Sequence, residues 1–164
     1  MVIRKAQISD AEAFWQMQYE LDKETKFMMY EPGERIKDMD RIENLISQSV
    51  SGPNLLLLTE DNGKIAGYIS AQRGTFHRTR HSAYIVTGIR EAYQHRGIGT
   101  GFFTELMDWA LKAKLKRLEL TVMCPNIHAG KLYERFGFEV EGIKKYSMLV
   151  DGEYVDEYYM AKIL

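Results

Sequence analysis

The amino-acid sequence predicts an α/β fold with a single mixed, mostly antiparallel sheet flanked by helices. Two hairpin signals, Asp61-Asn62-Gly63 and Asp151-Gly152, each separate two stretches that have the apolar character of strands. Between the other strand-like stretches, apolar residues recur at helical spacing. These observations predict the element order β-α-α-β-β-β-α-β-α-β-β.

The N-terminal part is predicted to hold one strand and two helices. Val2 to Ala6 is predicted as the strand, and Ser9-Asp10-Ala11-Glu12 has the S-x-x-E pattern of a capping box that opens a helix through about Leu21. Residues 22–34 predict a loop or a broken helix. A second helix, ended by Gly52-Pro53, is predicted from five apolar residues at helical spacing: Ile36, Met39, Ile42, Leu45 and Ile46.

The middle of the chain predicts three strands and a helix. The strands are expected at Leu55–Leu58, Lys64–Ala71 and Ser82–Ile89, and the helix at Ile98–Ala113. Gly67 lies inside the second of these strands, where a glycine indicates a bulge or a close backbone approach.

The C-terminal part predicts a strand, a short helix and a closing hairpin. The strand is expected at Arg117–Val122, and Asn126 can cap the helix. The apolar stripe of this helix is Ala129, Leu132, Tyr133 and Phe136, and Gly137 ends it. Phe138–Val150 and Glu153–Ile163 are the predicted hairpin strands.

The length and composition indicate one cytoplasmic domain over residues 1–164. Hydrophobic residues make up 45% of the chain and charged residues 27%, which is ordinary for a globular protein. The net charge of −1 predicts neither a nucleic-acid nor a membrane partner. The single cysteine, Cys124, excludes an internal disulfide, and the four histidines show no metal-ligand spacing, so no metal is expected.

The stretch from Tyr93 to Gly101 is the candidate binding site. Gly97 and Gly99 lie where the predicted strand becomes a helix, and glycine lets a bound group approach the backbone closely. A helix N-terminus presents unpaired N–H groups and the positive end of the helix dipole. This combination predicts an anion site, most often a phosphate site. A glycine-rich connection that binds nothing is the alternative on these residues alone.

Two familiar nucleotide motifs do not fit this stretch. It has no Gly-Lys pair, which a P-loop requires. Phe102 stands where the third glycine of a dinucleotide fingerprint belongs, and residues 90–96 separate the strand from the first glycine.

Three segments match the motifs of one family. Gln94-His95-Arg96-Gly97-Ile98-Gly99 fits Q/R-x-x-G-x-G/A, and Asn126 to Phe138 is similar to N-x-x-A-x-x-L-Y-x-x-x-G-F. Asp151-Gly152-Glu153-Tyr154 is similar to a closing hairpin found in many bacterial members. With the predicted strand–turn–helix–strand–helix context, the chain resembles the GNAT superfamily of N-acetyltransferases.

The resemblance implies acetyl-coenzyme A as donor, an amine as acceptor and a set of cofactor contacts. Backbone groups of Ile89 and Arg90 are expected at the pantetheine arm and the thioester carbonyl, and Asn126 at the cofactor arm. The pyrophosphate is expected on the turn formed by Gln94, His95, Arg96, Gly97, Ile98, Gly99, Thr100 and Gly101. Glu91, where the family often has proline, and His95, where it often has glycine, depart from the pattern.

The resemblance also implies that Tyr133 protonates the departing thiolate. A phenol has a pKa roughly 1–2 units above that of a thiol, so the transfer is chemically reasonable. Tyr133 also lies on the apolar helix stripe, so a core tyrosine is the alternative.

The general base is not identified by the sequence. An alkyl amine with a pKa of roughly 10 must lose a proton before it attacks. The acidic candidates are Glu20, Glu24, Glu31, Glu119, Asp156 and Glu157.

Two functions from different classes follow from these observations. The leading one is direct acetyl transfer to a primary amine of a small molecule or of a protein N-terminus. The alternative is a non-catalytic module that binds or senses coenzyme A. A homodimer is expected by resemblance only.

Overall fold

A computed structural model describes residues 1–164 of the chain. The four α-helices are α1 (Ala11–Glu24), α2 (Met39–Val50), α3 (Ile98–Lys112) and α4 (Ile127–Arg135). The seven strands are β1 (Val2–Lys5), β2 (Leu55–Asp61), β3 (Lys64–Arg73), β4 (Ser82–Ile89), β5 (Arg117–Met123), β6 (Glu139–Val150) and β7 (Glu153–Ile163). Short 3₁₀ turns lie at Ile8–Asp10 and Glu91–Tyr93.

The strands form one mixed sheet in the order β1-β2-β3-β4-β5-β7-β6. β4 and β5 are parallel, whereas β1–β2, β2–β3, β5–β7 and β6–β7 are antiparallel. The predicted fold class and element order are therefore confirmed. None of the helices combines the length and the apolar character that a membrane span requires.

The chain divides into two compact units. The first unit comprises Met1–Gln72 and Val86–Trp109, and the second comprises Arg73–Ile85 and Ala110–Leu164. The prediction of one domain over residues 1–164 stays a prediction.

The core of the first unit is built from α1, α2 and the central strands. Phe14 of α1 packs edge-on against Tyr68 of β3, with ring centroids 5.2 Å apart. Leu21, Ile46 and Leu58 are also fully buried in this cluster. Burying a side chain of this size contributes about 1.5–3 kcal/mol, so this cluster fixes α1 on the sheet.

Both expectations for Gly67 are confirmed. The β2–β3 register shifts from Thr59↔Gly67 to Glu60↔Ile65, which leaves Ala66 as a bulge. A Cβ on Gly67 would lie 2.8 Å from the Gly88 carbonyl oxygen, so the backbone of β4 approaches closely there. The predicted turn between these strands is also present, with φ values of 50° at Asn62 and 77° at Gly63.

The predicted start of α1 is wrong. Ile8–Asp10 forms a 3₁₀ turn, and α1 begins at Ala11 without a cap from Ser9. The Asp10 carboxylate instead accepts a hydrogen bond from the Gln7 N–H at 2.7 Å and binds both terminal nitrogens of Arg4. Because Arg4 holds this carboxylate beside β1, the side-chain contact at the helix start joins Asp10 to Gln7, two residues before the predicted pair of Ser9 and Glu12. α1 also continues past Leu21 to Glu24.

The predicted start of the second helix is also wrong. α2 begins at Met39, and the Asp38 side chain caps it by accepting from the Arg41 N–H at 3.0 Å. Ile36 precedes the cap and is 84% exposed. Its helical spacing is therefore coincidental, and residues 25–38 form an irregular segment that links the two helices.

The second unit contains the predicted closing hairpin and α4. Leu118, Leu120 and Val122 alternate as buried residues along β5, and β5 pairs with β7 through Leu120↔Met160. Asp151 and Gly152 have φ values of 51° and 80°, as a two-residue hairpin turn requires.

A buried ion pair fastens the 25–38 segment to α1. The Arg35 guanidinium donates to the Asp22 carboxylate from Nε at 2.6 Å and from a terminal nitrogen at 3.1 Å. The exposed fractions of the side chains are 1% for Asp22 and 13% for Arg35. A charge buried this completely depends on its partner, because it has lost its hydration.

We predict that Asp22→Ala lowers the free energy of unfolding by about 3 kcal/mol, because Arg35 loses its partner in a buried site. Urea denaturation of the purified protein measures this change. Glu12→Ala is the matched control, since its pair with Lys37 leaves the Glu12 side chain 63% exposed. The control should cost less than about 1 kcal/mol. Equal losses in the two variants would contradict the structural role of the buried pair.

Candidate functional site

The turn between β4 and α3 has two residues in the left-handed region. After the 3₁₀ turn at Glu91–Tyr93, φ is 60° at His95 and 81° at Gly97. A Cβ on Gly97 would meet no atom within 4 Å, so the backbone conformation, and not crowding, calls for glycine there. The Gly97 backbone is therefore open to an approaching group.

The first turn of α3 is electrostatically suited to an anion. Gly101 N–H donates to the Gly97 carbonyl oxygen at 3.0 Å, so the N–H groups of Ile98 and Gly99 precede the helical hydrogen bonds. No acidic residue lies in this turn. Arg96, whose guanidinium lies 5.2 Å from the centre of the Tyr93 ring, adds a positive charge beside it. The helix dipole and this side chain both favour a negatively charged group.

Gly101 has a packing role in the structure. A Cβ at this position would lie 2.6 Å from Cδ1 of Ile3, so glycine lets α3 pack closely against β1. The Thr100 carbonyl accepts from the Thr104 hydroxyl at 2.9 Å, which is a contact within the helix.

Hydrogen bonds within the chain hold the backbone at the exit of β4. Arg90 N–H donates to the Ala66 carbonyl at 2.9 Å, and the Arg90 carbonyl accepts from Tyr93 N–H at 2.9 Å. The Ile89 carbonyl accepts from Nε2 of Gln94 at 3.1 Å. Because backbone groups alternate along a strand, Ile89 N–H points to the edge of β4 opposite β3. None of the three hydrogen bonds described here uses the Ile89 N–H as its donor.

Glu24, the last residue of α1, contacts this exit directly. Its Oε1 accepts from Arg90 at 2.8 Å from Nε and 2.5 Å from Nη2, and its Oε2 accepts from Glu91 N–H at 2.9 Å. Partial burial raises the pKa of Glu24, but these hydrogen bonds and the Arg90 charge outweigh it. The pKa of the Glu24 carboxyl therefore lies below its usual value.

The other acidic residues considered as general bases are mostly paired with a neighbour. Glu20 pairs with Lys23, Glu119 with Arg117 and Asp156 with Lys145. Glu157 accepts a hydrogen bond from the Ser147 hydroxyl. None of these contacts distinguishes one carboxylate as a base, so the general base stays unassigned.

Asn126 and Tyr133 both belong to α4 in the second unit. The Asn126 side-chain oxygen accepts from Ala129 N–H at 3.3 Å, so Asn126 caps the helix as predicted. Tyr133 is the buried residue of α4, and its ring lies 6.2 Å from that of Phe138. The Tyr133 carbonyl also accepts from the Phe138 N–H at 3.1 Å.

The structure groups the remaining predicted site residues on one continuous segment of the first unit. These are Ile89, Arg90, Gln94, His95, Arg96, Gly97, Ile98, Gly99, Thr100 and Gly101. Sequence reasoning did not find the contact between Glu24 and this segment. Glu91 offered one signal, because a residue other than proline has an N–H to donate. Nowhere in residues 1–164 are three or more His, Cys, Asp or Glu side chains grouped to hold a metal ion.

Two curated N-acetyltransferases are similar to part of this chain in sequence. The sequence is 32% identical over 103 residues to the L-amino acid N-acetyltransferase AaaT of Escherichia coli, covering 62% of this chain and 64% of that protein. It is 40% identical over 55 residues to a spermine/spermidine N(1)-acetyltransferase of Bacillus subtilis, covering 33% and 36% of the two chains. The matches thus span less than two thirds of these relatives.

Similarity in three dimensions extends over nearly the whole chain. The crystal structure of an acetyltransferase of the GNAT family from Streptococcus pneumoniae superposes with a TM-score of 0.94 at 28% identity, covering 99% of both chains. The model of the acetyltransferase (GNAT) family matches residues 15–138, which include most of α1, the glycine turn and all of α4. The chain therefore belongs to the GNAT acetyltransferase family.

Proposed function

We propose that this protein is an N-acetyltransferase that moves an acetyl group directly from acetyl-coenzyme A to a primary amine. The observation that carries the proposal is the turn at Gly97, where a left-handed glycine precedes the N–H groups that begin α3. Membership of the GNAT family supports the same activity. Acetyl-coenzyme A supplies an acetyl group already activated as a thioester.

The residues of the turn fit a pyrophosphate. N–H groups at the start of a helix bind phosphate oxygens, and the absence of a Cβ at Gly97 and Gly99 leaves room for them. In the proposal, Ile98, Gly99 and Thr100 donate from the backbone. Arg96 contributes a charge at the surface, where salt screens it, so its effect is smaller than that of the backbone.

Ile89 N–H is the proposed donor to the carbonyl oxygen of the acetyl group. Negative charge develops on this oxygen as the amine attacks, and a fixed N–H stabilises it more in the transition state than in the ground state. The hydrogen bonds at Arg90 and at the Ile89 carbonyl support the assignment, because they hold the neighbouring peptide groups still.

Tyr133 is the proposed acid that protonates the departing sulfur. The support is the matching motif, Leu132-Tyr133-Glu134-Arg135-Phe136-Gly137-Phe138, together with the buried position of the side chain on α4. A phenol has an ordinary pKa of about 10 and therefore carries a proton at neutral pH that it can transfer to the departing thiolate. In the same proposal, the Asn126 amide donates to the cofactor arm.

The acceptor is proposed to be a primary amine of a small molecule or of a peptide N-terminus. The relatives named above act on L-amino acids and on spermine or spermidine, which share only that group. The direct test is release of the coenzyme A thiol from acetyl-coenzyme A with a panel of L-amino acids, polyamines and short peptides. We expect an acetylated product with one class, identified by mass spectrometry. Tight cofactor binding without product from any member would indicate a coenzyme A-binding module instead.

We predict that Gly99→Val weakens acetyl-coenzyme A binding at least about tenfold, which corresponds to about 1.4 kcal/mol. The branched side chain obstructs the approach of phosphate to the start of α3. Gly99 is helical and has no positive φ, so valine causes no backbone strain. Isothermal titration measures the affinity, and thermal melting checks the fold.

Gly142→Val is the matched control for the glycine turn. A Cβ on Gly142 would meet no atom within 4 Å, and the residue lies on β6, away from the turn in sequence. The control should bind the cofactor as the wild type does. Unchanged affinity in a folded Gly99→Val protein would show that the phosphate site is elsewhere.

We predict that Tyr133→Phe lowers kcat by about 10²–10⁴-fold, the typical contribution of general acid catalysis. The ring is kept, so the affinity for acetyl-coenzyme A should change little. Steady-state kinetics give kcat, isothermal titration gives the affinity, and a pre-steady-state measurement establishes that chemistry limits turnover. Tyr154→Phe is the control, because that side chain is 64% exposed. Near-normal turnover with slight destabilisation would identify Tyr133 as a core tyrosine only.

A further inference from the structure

We propose that Glu24 is a positioning residue for the acyl-transfer step, because its carboxylate fixes the exit of β4 at Arg90 and Glu91. The inference rests on the proposed function, in which Ile89 N–H faces the reacting carbonyl. In this inference, α1 helps to hold the segment from Ile89 to Glu91 in place.

Both carboxylate oxygens of Glu24 are used in this contact. Oε1 binds the Arg90 guanidinium, and Oε2 binds Glu91 N–H. One group therefore restrains a side chain and the next peptide unit at the same time. Charge-assisted hydrogen bonds of this kind are shorter and stronger than neutral ones. Only 22% of the Glu24 side chain and 29% of the Arg90 side chain are exposed, so water screens the pair incompletely.

The helix that carries Glu24 is a rigid support. Leu21, one turn earlier, is fully buried, and a Cβ on Gly88 would lie 2.5 Å from its Cδ2. α1 therefore packs directly on β4 next to Ile89. The helix cannot shift without losing this packing. Glu24 therefore has a fixed position, and its hydrogen bonds hold Arg90 and Glu91 in place.

Glu24 completes a set of restraints around Ile89. Ala66 holds Arg90 N–H from β3, and Gln94 holds the Ile89 carbonyl from the glycine turn. Glu24 adds a restraint from α1, so three separate parts of the chain hold the backbone around Ile89. A reacting group that is displaced by about 1 Å can lose about 10²-fold in rate, so restraints on this peptide matter for the chemical step.

The N–H of Glu91 makes this arrangement possible. A proline at this position would have no N–H to give, whereas Glu91 donates to Oε2 of Glu24. The departure from the family pattern at Glu91 is therefore matched by an acceptor on α1. Arg90 has φ −54° and ψ 141°, and Glu91 begins a 3₁₀ turn, so the backbone would accept a proline.

The same contacts argue against Glu24 as the general base. A base needs a lone pair free for the amine proton and a pKa near the working pH. The hydrogen bonds from Arg90 and Glu91 N–H stabilise the ionised carboxylate of Glu24 and would be weakened if it took up a proton, and its pKa lies below the usual value. Glu24 is therefore expected to stay ionised and paired throughout the reaction.

The experiment compares Glu24→Ala, Glu24→Gln and Glu91→Pro with the wild type, on an amine that the wild type acetylates. We expect Glu24→Ala to lower kcat about 10–100-fold, with a smaller change in KM for the amine. Glu24→Gln keeps an acceptor for Glu91 N–H and should retain an intermediate kcat. The acid limb of the pH profile of kcat for this variant should coincide with that of the wild type, because the base is another group. Glu12→Ala is the control on the same helix and should have the wild-type kcat.

The Glu91 variants isolate the backbone hydrogen bond. Glu91→Pro removes the N–H, whereas Glu91→Ala removes only the side chain, so the proline variant should have the lower kcat. The double variant Glu24→Ala/Glu91→Pro should be no slower than Glu24→Ala, because both changes remove the same contact. If Glu24→Ala fails to fold, Glu24→Gln and Glu91→Pro still test the inference.

Four outcomes decide the question. A folded Glu24→Ala protein with wild-type kcat would overturn the inference, as would multiplicative losses in the double variant. A Glu24→Gln protein as slow as Glu24→Ala, with the acid limb abolished, would identify Glu24 as the base and overturn it too. A wild type that acetylates no amine in the panel would refute the proposed function itself and this inference with it.

Discussion

The left-handed conformation of Gly97 is the constraint on which the candidate site depends. It lets the chain leave the turn after β4 and begin α3 at Ile98. As a result, the first N–H groups of α3 follow directly on a position without a Cβ, and no acidic side chain competes with a bound anion there. The candidate site is thus formed mainly by backbone groups.

The packing of α1 gives this backbone a firm support. Leu21 lies against Gly88, and Glu24 reaches the next turn of the chain at Arg90 and Glu91. Arg35, through Asp22, fastens the segment that follows α1 to the same helix. These contacts link α1 to β4, the strand that ends at Ile89. A change on α1 is therefore expected to reach the backbone of β4 without unfolding the protein.

Features set by local sequence were predictable, and features set by distant contacts were not. The two hairpin turns and the cap at Asn126 each follow from a few neighbouring residues, and the single glycine inside β3 marked the close approach at Gly67 without showing that its partner is Gly88. The start of α1 was misplaced because Arg4, which pairs with Asp10, belongs to β1. Ile36 has helical spacing but lies outside α2, since spacing alone does not show where a cap will form. The contact between Glu24 and Arg90 joins residues 66 positions apart, and a local sequence pattern cannot predict such a pair.

The central claim is that the backbone of the glycine turn binds the pyrophosphate of acetyl-coenzyme A. Isothermal titration of the wild type with acetyl-coenzyme A and with S-acetyl-pantetheine, which lacks the pyrophosphate and the adenosine phosphate attached to it, tests it most directly. We expect acetyl-coenzyme A to bind at least about 100-fold more tightly, equivalent to about 2.7 kcal/mol. Equal affinities for the two compounds would contradict the claim, because the turn would then contribute nothing to binding.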